Sequence, residues 1–339
     1  MHKYLIMVLT VLFFLPSRLS FAQSLQIDQQ YWGNDKKYLE TQAAVMLRLI
    51  DQSLDKEPPS TDSSAMRQLA LYGLDAILHD TRLDGSKPMT DFLNGRISKV
   101  NNQLESPLTS RAEVYKIYNH GFIVRTKSAT IAVDLVTHRF HRALFSDSLT
   151  EKIIRKCDAL FLTHCHSDHC DKAIVSQFLK ERKPVYAPSD FLPENDSIIH
   201  LIPDTIIKEK VRLRHGRNIK LQVLPGHQSE LQCNNYVFTL PGKITVVHTG
   251  DEYQQRDMNW IPRAHQLIPP VDILIVNCWA DPLNDIIDGY KPKLVITGHE
   301  NEFGHSIDHR EAFWLTNHKM QKIGYPFVLM GWGERYCFR

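Results

Sequence analysis

In the run Leu160-Phe161-Leu162-Thr163-His164-Cys165-His166-Ser167-Asp168-His169, an apolar stretch gives way to three histidines and an aspartate within six positions. Imidazole nitrogen and carboxylate oxygen are donors that zinc, iron and manganese accept. A strand that ends in a loop lets such side chains converge, and the small Ser167 permits a tight turn. Three later segments repeat the arrangement of an apolar run ending at a polar donor. Leu221-Gln222-Val223-Leu224-Pro225-Gly226 ends at His227. Ile244-Thr245-Val246-Val247-His248-Thr249-Gly250 ends at Asp251, and Leu294-Val295-Ile296-Thr297-Gly298 ends at His299. The glycines let backbone pass close to a bound ion. The chemistry this implies is that of a bound metal ion.

These donors must be positioned by an alternating α/β chain. From 111 to 339 short β-rich runs appear at 114–118, 122–125, 130–134, 159–163, 236–240, 244–248, 272–277, 293–297 and 326–330, with Pro241-Gly242 as a hairpin turn. Helical patterns lie between others, at 147–156, 172–181 and 306–317. Strands interleaved with helices define the α/β class. Residues 23–110 read instead as a small helical region. Ala43, Ala44, Leu47, Ile50 and Leu54 recur at helical spacing before Pro58-Pro59. Met66, Leu69, Leu74, Ile77 and Leu78 suggest a second helix, and Phe92, Ile97, Val100 and Leu104 a third. This region carries no His, Cys or acid cluster and reads as a packing or lid element.

Residues 1–22 read as a cleaved signal peptide. Lys3 precedes an apolar run from Leu5 to Leu15, Pro16 ends it, and Ser20-Phe21-Ala22 supplies the small residues of a cleavage site. The run is short of the roughly 20 residues a membrane span needs, so the expected mature chain is exported, periplasmic or extracellular, with no stable membrane anchor. Forty Lys+Arg face 38 Asp+Glu; loss of Lys3 and Arg18 with the leader leaves the two signs equal. A neutral chain has no general attraction for nucleic acid. The six Cys show no framework spacing and read mainly as buried thiols.

The order of H-x-H-x-D-H, a separate His, an Asp after Thr-Gly and a late His after Thr-Gly resembles the metallo-β-lactamase superfamily of metal-dependent hydrolases, over roughly residues 111–339. The resemblance implies an αββα sandwich with a dinuclear site at one edge of its two sheets. It places His164, His166 and His227 on one divalent ion, Asp168, His169 and His299 on the second, and Asp251 between them. Zinc is the expected metal, with manganese or iron as alternatives. A water bridging two such ions would ionise near neutral pH and attack a carbonyl carbon or phosphorus, with Asp168 and Asp251 as the catalytic carboxylates. Asn119-His120-Gly121, Ile131-Ala132-Val133-Asp134 and Gly298-His299 resemble the lactonase-like and phospholipase-like branch typified by ascorbate-6-phosphate lactonase.

Neighbouring residues add candidates. His120 and Asp134 lie on early strands that run near such sites, and Asp134 could fix the tautomer of a ligand histidine. His305 could reach a substrate or cap a helix starting near Ser306. Cys165 and Cys170 read as spacers, Trp260, Trp279 and Trp314 as packing, and Arg212, Arg214, His215, Arg217 and Lys220 as a solvated strand face. The expected partner is a small-molecule substrate bearing a lactone, ester or phosphodiester bond. Three other readings compete. An Asp at 251 argues against a β-lactamase, since those members carry Cys or no bridging ligand there. A metal-binding protein of the same fold without turnover is the alternative from another class. An iron oxidoreductase would place Glu where His166 stands.

Overall fold

The computed structural model describes residues 31–139, 142–213, 217–252 and 254–339. The leader, and Arg214 and His215 of the basic stretch, lie outside the described residues. Two seven-stranded sheets face each other, with helices on both outer faces: an αββα sandwich. The first sheet runs Glu334–Phe338, Ala112–Tyr118, Gly121–Arg125, Thr130–Val133, Ala159–Phe161, Val185–Pro188, Ile199–Leu201. The second runs Phe327–Val328, Leu294–Gly298, Ile273–Asn277, Ile244–His248, Asn235–Leu240, Asn218–Leu224, Ile207–Arg212.

In each sheet one half is antiparallel and the other parallel. Parallel strands end on the same side of a sheet, so the loops after them gather there. Thr130–Val133 and Ala159–Phe161 are parallel neighbours, and Asp134 and the His164–His169 loop follow them. Ile244–His248, Ile273–Asn277 and Leu294–Gly298 are parallel in turn, and Asp251 and His299 follow two of these. The topology therefore brings distant segments to one rim.

Strand alternation divides the apolar residues between layers. Ala159 and Phe161 enter the core between the sheets, and Leu160 and Leu162 the outer core under the helices. Ile273 and Ile275 face inward, Leu274 and Val276 outward. Burial on both faces is why these strands read as unbroken apolar runs. The polar strands Ile199–Leu201, Ile207–Arg212 and Glu334–Phe338 lie at sheet edges, where only weak patterning is needed; the sequence reading did not anticipate them.

Helices Asp35–Lys56, Ala65–Leu78 and Lys87–Glu105 cover the outer face of the first sheet. The first buries Ala43, Leu47, Ile50 and Leu54, while Ala44 is exposed. The second buries Leu74, Ile77 and Leu78 as its spacing suggests, but not the two apolar residues named at its start. Met66 and Leu69 are 56% and 67% exposed, and Arg67 and Asp75 are buried instead. The cause is a polar lock: Arg67 forms a two-pronged pair with buried Glu334 and donates to the carbonyls of Glu57 and Leu329. One continuous outer core spans this helical region and the first sheet.

The helix expected over 306–317 is interrupted. A 3-10 turn covers Ile307–His309 and the helix proper is Phe313–Ile323. Between them the Arg310 carbonyl bonds His79 Nε2 and the Glu311 carbonyl bonds Asn301 N, so neither is free to continue a helix. All six Cys are free thiols. Among the described residues no helix is long and apolar enough to cross a membrane.

Candidate metal centre

At the shared rim, donor atoms of Asp168, His169, Asp251 and His299 lie within 4.8 Å of one another, and so do those of His164, His166 and Asp251. Asp251 belongs to both sets. Its Oδ2 is 3.1 Å from His169 Nε2, 3.3 Å from His299 Nε2 and 3.7 Å from His164 Nε2. His299 Nε2 is also 3.3 Å from Asp168 Oδ2. His166 is exposed, while the other members are buried. His227 stands outside both sets: its Nδ1–H donates to Asp257 at 3.0 Å, and the adjacent Gln228 donates to Asp251 Oδ2 at 3.2 Å.

A single carboxylate orients two of the rings. His169 Nδ1–H donates to Asp134 Oδ2 at 2.8 Å. His164 Nδ1–H donates to the Thr163 hydroxyl at 3.0 Å, which donates onward to the same Asp134 oxygen at 2.6 Å. This turns Nε2 of both rings toward the centre, where each is buried without a hydrogen-bond partner. Orphaned buried nitrogens beside carboxylates are what a cation site requires, and the all-N/O donor set fits zinc, manganese or iron.

The electrostatics agree. Burial would push the carboxyls of Asp168 and Asp251 up, but His169 and His299 beside them hold both well below the usual range. Burial would likewise lower His169 and His299. Asp251 and Asp168 outweigh it, holding His169 well above its ordinary value and His299 at about 10. Without an ion the carboxylates thus draw protons onto these rings, and a bound cation would take the protons' place. His164 is pulled down to about 3 by burial and then by His169, so its ring is neutral without competition from a proton.

The backbone around the centre is strained. Asn119, Asp134, His299 and Asn301 adopt φ of 51°, 47°, 76° and 59°. Such left-handed conformations cost on the order of 1–3 kcal/mol each where they are unfavourable, and Asn and Asp bear them best. The strain falls where donors are aimed.

His120 is fully buried behind the centre, its ring 4.3 Å from that of His248 and 5.9 Å from that of His169. It has no face to solvent, and burial keeps it well below its ordinary pKa. His305 is half-buried, its ring 5.4 Å from those of His299 and Trp279, and its Nδ1 bonds the His309 carbonyl at the end of the 3-10 turn at 3.1 Å. Its donor atom groups with those of Asp168 and buried Glu302. Cys165 faces Asp190 and Cys170 donates to the His164 carbonyl. Arg212 and Lys220 are exposed.

Several supporting groups escaped the sequence reading. Asn277 donates to Asp251 Oδ1 at 2.9 Å, and Asn119 to Asp168 Oδ2 at 3.0 Å. Asp257 and Glu302 were not singled out either. Asn277 ends an apolar strand beside the one leading to Asp251, and that was the available signal.

No protein-family model matches the chain, and no curated protein matches it. Solved structures do. A possible metal-dependent hydrolase from Veillonella parvula aligns with TM-score 0.52 and 14% identity over 68% of this chain and 100% of its own. An isothiocyanate hydrolase from Delia radicum gut bacteria aligns with TM-score 0.50 and 14% identity over 67% and 98%. A metallo hydrolase from Ignicoccus hospitalis aligns with TM-score 0.49 and 14% identity over 67% and 99%. At such identities the likeness is one of fold, the αββα sandwich described above. About a third of the chain has no counterpart in these structures.

Proposed function

We propose that this chain is an exported metal-dependent hydrolase with a dinuclear centre. His164, His166 and His227 would hold one divalent ion and Asp168, His169 and His299 the other, with Asp251 shared. The observation that carries this reading is the convergence of two donor sets on Asp251, with the buried Nε2 atoms of His164 and His169 unpartnered. Bound there, the ions would acidify a water toward neutrality and polarise the oxygen that gains charge.

The chain's own residues prepare that chemistry. Asn277 holds Oδ1 of Asp251, while Gln228 and Asn119 steady the oxygens that face the centre, Asp251 Oδ2 and Asp168 Oδ2. Asp168 orients the attacking water and takes its proton. Asp134 fixes the tautomers of His164 and His169. Buried His120 and His248 close the floor against solvent, which strengthens every charge interaction above it. His305 and Trp279 stand beside His299, on the side where a substrate would lie.

The substrate class is a small molecule with a lactone or other ester bond, or a phosphodiester. The likeness of the segments around Asn119, Asp134 and His299 to lactonase-like and phospholipase-like hydrolases keeps both bond types in view. The test is a side-by-side assay of lactones and generic phosphodiesters with zinc- or manganese-loaded protein, with Asp251→Ala as control. Turnover in either arm that is lost in the variant supports the reading. Turnover retained in Asp251→Ala, or metal binding with silence in both arms, overturns it.

A further inference from the structure

The carboxylate of Asp75 is buried on helix Ala65–Leu78, outside the donor cluster, yet its partners belong to the segment that carries His299. Oδ1 accepts from Asn301 Nδ2 at 2.8 Å and from Phe313 N at 2.8 Å, and Oδ2 accepts from Trp314 N at 3.1 Å. The same end of that helix grips the segment again. The Leu78 carbonyl accepts from Arg310 Nη1 at 2.6 Å, and His79 Nε2 donates to the Arg310 carbonyl at 2.8 Å. Arg310 also pairs with Asp84 and donates to the Phe303 carbonyl. The N-terminal helices therefore clasp this segment near both of its ends.

The segment needs holding. His299 and Asn301 both have positive φ, a conformation the chain leaves when its surroundings do not enforce it. Asn301 is fixed by its backbone N–H on Glu311 and by its side chain on Asp75. Relaxation at Asn301 would rotate the backbone two residues from His299 and shift Nε2, where a ligand tolerates roughly 0.5 Å.

We propose that Asp75 is a positioning residue for the metal centre. By holding Asn301 and the first turn of helix Phe313–Ile323, it keeps His299 against Asp168 and Asp251. The N-terminal helical region thereby sets the affinity of the ion at His299. This rests on the two-ion reading above.

The test titrates metal-free full-length protein with Co²⁺ and Zn²⁺ against competing chelators, resolving the two binding events. In wild type two ions bind. In Asp75→Ala the ion at His299 binds at least tenfold more weakly, with a changed Co²⁺ spectrum, and the other ion is unaffected. Leu47→Ala removes a buried side chain from helix Asp35–Lys56, which supplies none of these hydrogen bonds, so both affinities stay as in wild type even though stability falls. If Asp75→Ala does not fold, Asn301→Gly carries the test. It cuts the link to Asp75 while tolerating positive φ, and the same selective weakening is expected. Equal affinities for both ions in wild type and in these variants overturn the role of Asp75 and leave the two-ion reading standing. Wild type that takes up fewer than two ions overturns both.

Discussion

Asp134 Oδ2 accepts directly from His169 Nδ1 and, through the Thr163 hydroxyl, is linked to His164 Nδ1. The two rings belong to different donor sets, so one carboxylate orients donors at both. In Asp134→Asn an amide N–H can face His169 in place of an acceptor, and the ring loses its reason to present Nε2. On the proposed two-ion reading, both ions should bind about 10–100-fold more weakly, read by chelator competition. Loss confined to one ion would contradict the shared role.

Gly298 precedes His299, and a Cβ there would meet His120 Nδ1 at 2.0 Å and Phe122 at 3.0 Å. His120 is buried on all sides, so its ring can shift only by pushing its neighbours. Gly298→Ala should cost about 1–3 kcal/mol by overpacking and also lower activity, because the displaced ring lies behind the centre. Denaturant unfolding checks the first and the rate assay the second. Gly331→Ala, whose Cβ would find its nearest neighbour at 3.4 Å, serves as the mild comparison.

Arg67 and Glu334 are both buried and paired at 2.7 Å, joining the second helix to a strand near the end of the chain. Arg67→Ala leaves Glu334 buried beside a missing partner, although Arg96 stands 3.7 Å away. A loss of about 3–5 kcal/mol is expected, measured by urea unfolding. Arg67→Met should lose less if Glu334→Gln is made with it, since no unpaired charge then stays inside.

Burial raises the Asp75 carboxyl from 3.8 to about 6, against its hydrogen bonds to Asn301, Phe313 and Trp314 and the charge of His79. The folded chain therefore holds this proton more tightly than the unfolded one. The stability from this group is full below about pH 4 and is lost as pH rises through about 6, by roughly 2–3 kcal/mol. Asp75→Asn cannot titrate. The difference in unfolding free energy between wild type and Asp75→Asn should turn against wild type across that window, and a flat difference would refute the shift.

The sequence displays the convergence of six donors because each follows a strand whose apolar run is legible, and because His164, His166, Asp168 and His169 sit in one uninterrupted motif. The bonds that Asn119, Asn277 and Asp257 make to the donors are invisible by the same logic. Each residue acts through one partner far along the chain, and a lone Asn or Asp in a loop reads as a turn former. At the start of Ala65–Leu78 two exposed residues were taken as core for a related reason. Apolar spacing points to Met66 and Leu69, but the partners that bury Arg67 and Asp75, Glu334 and Asn301, lie more than two hundred positions away. The interrupted segment before Phe313 follows from that long-range bonding.

Each donor set also draws on both sheets. His164, His166, Asp168 and His169 follow a strand of the first, whereas Asp251 and His299 follow strands of the second. Ions held between them would stitch the halves of the sandwich together along one rim. A ligand that binds only the folded chain adds about 2.7 kcal/mol at a hundred times its dissociation constant. Chelation would then unfasten the molecule from this edge inward, and resistance to proteolysis would report metal supply as faithfully as turnover does.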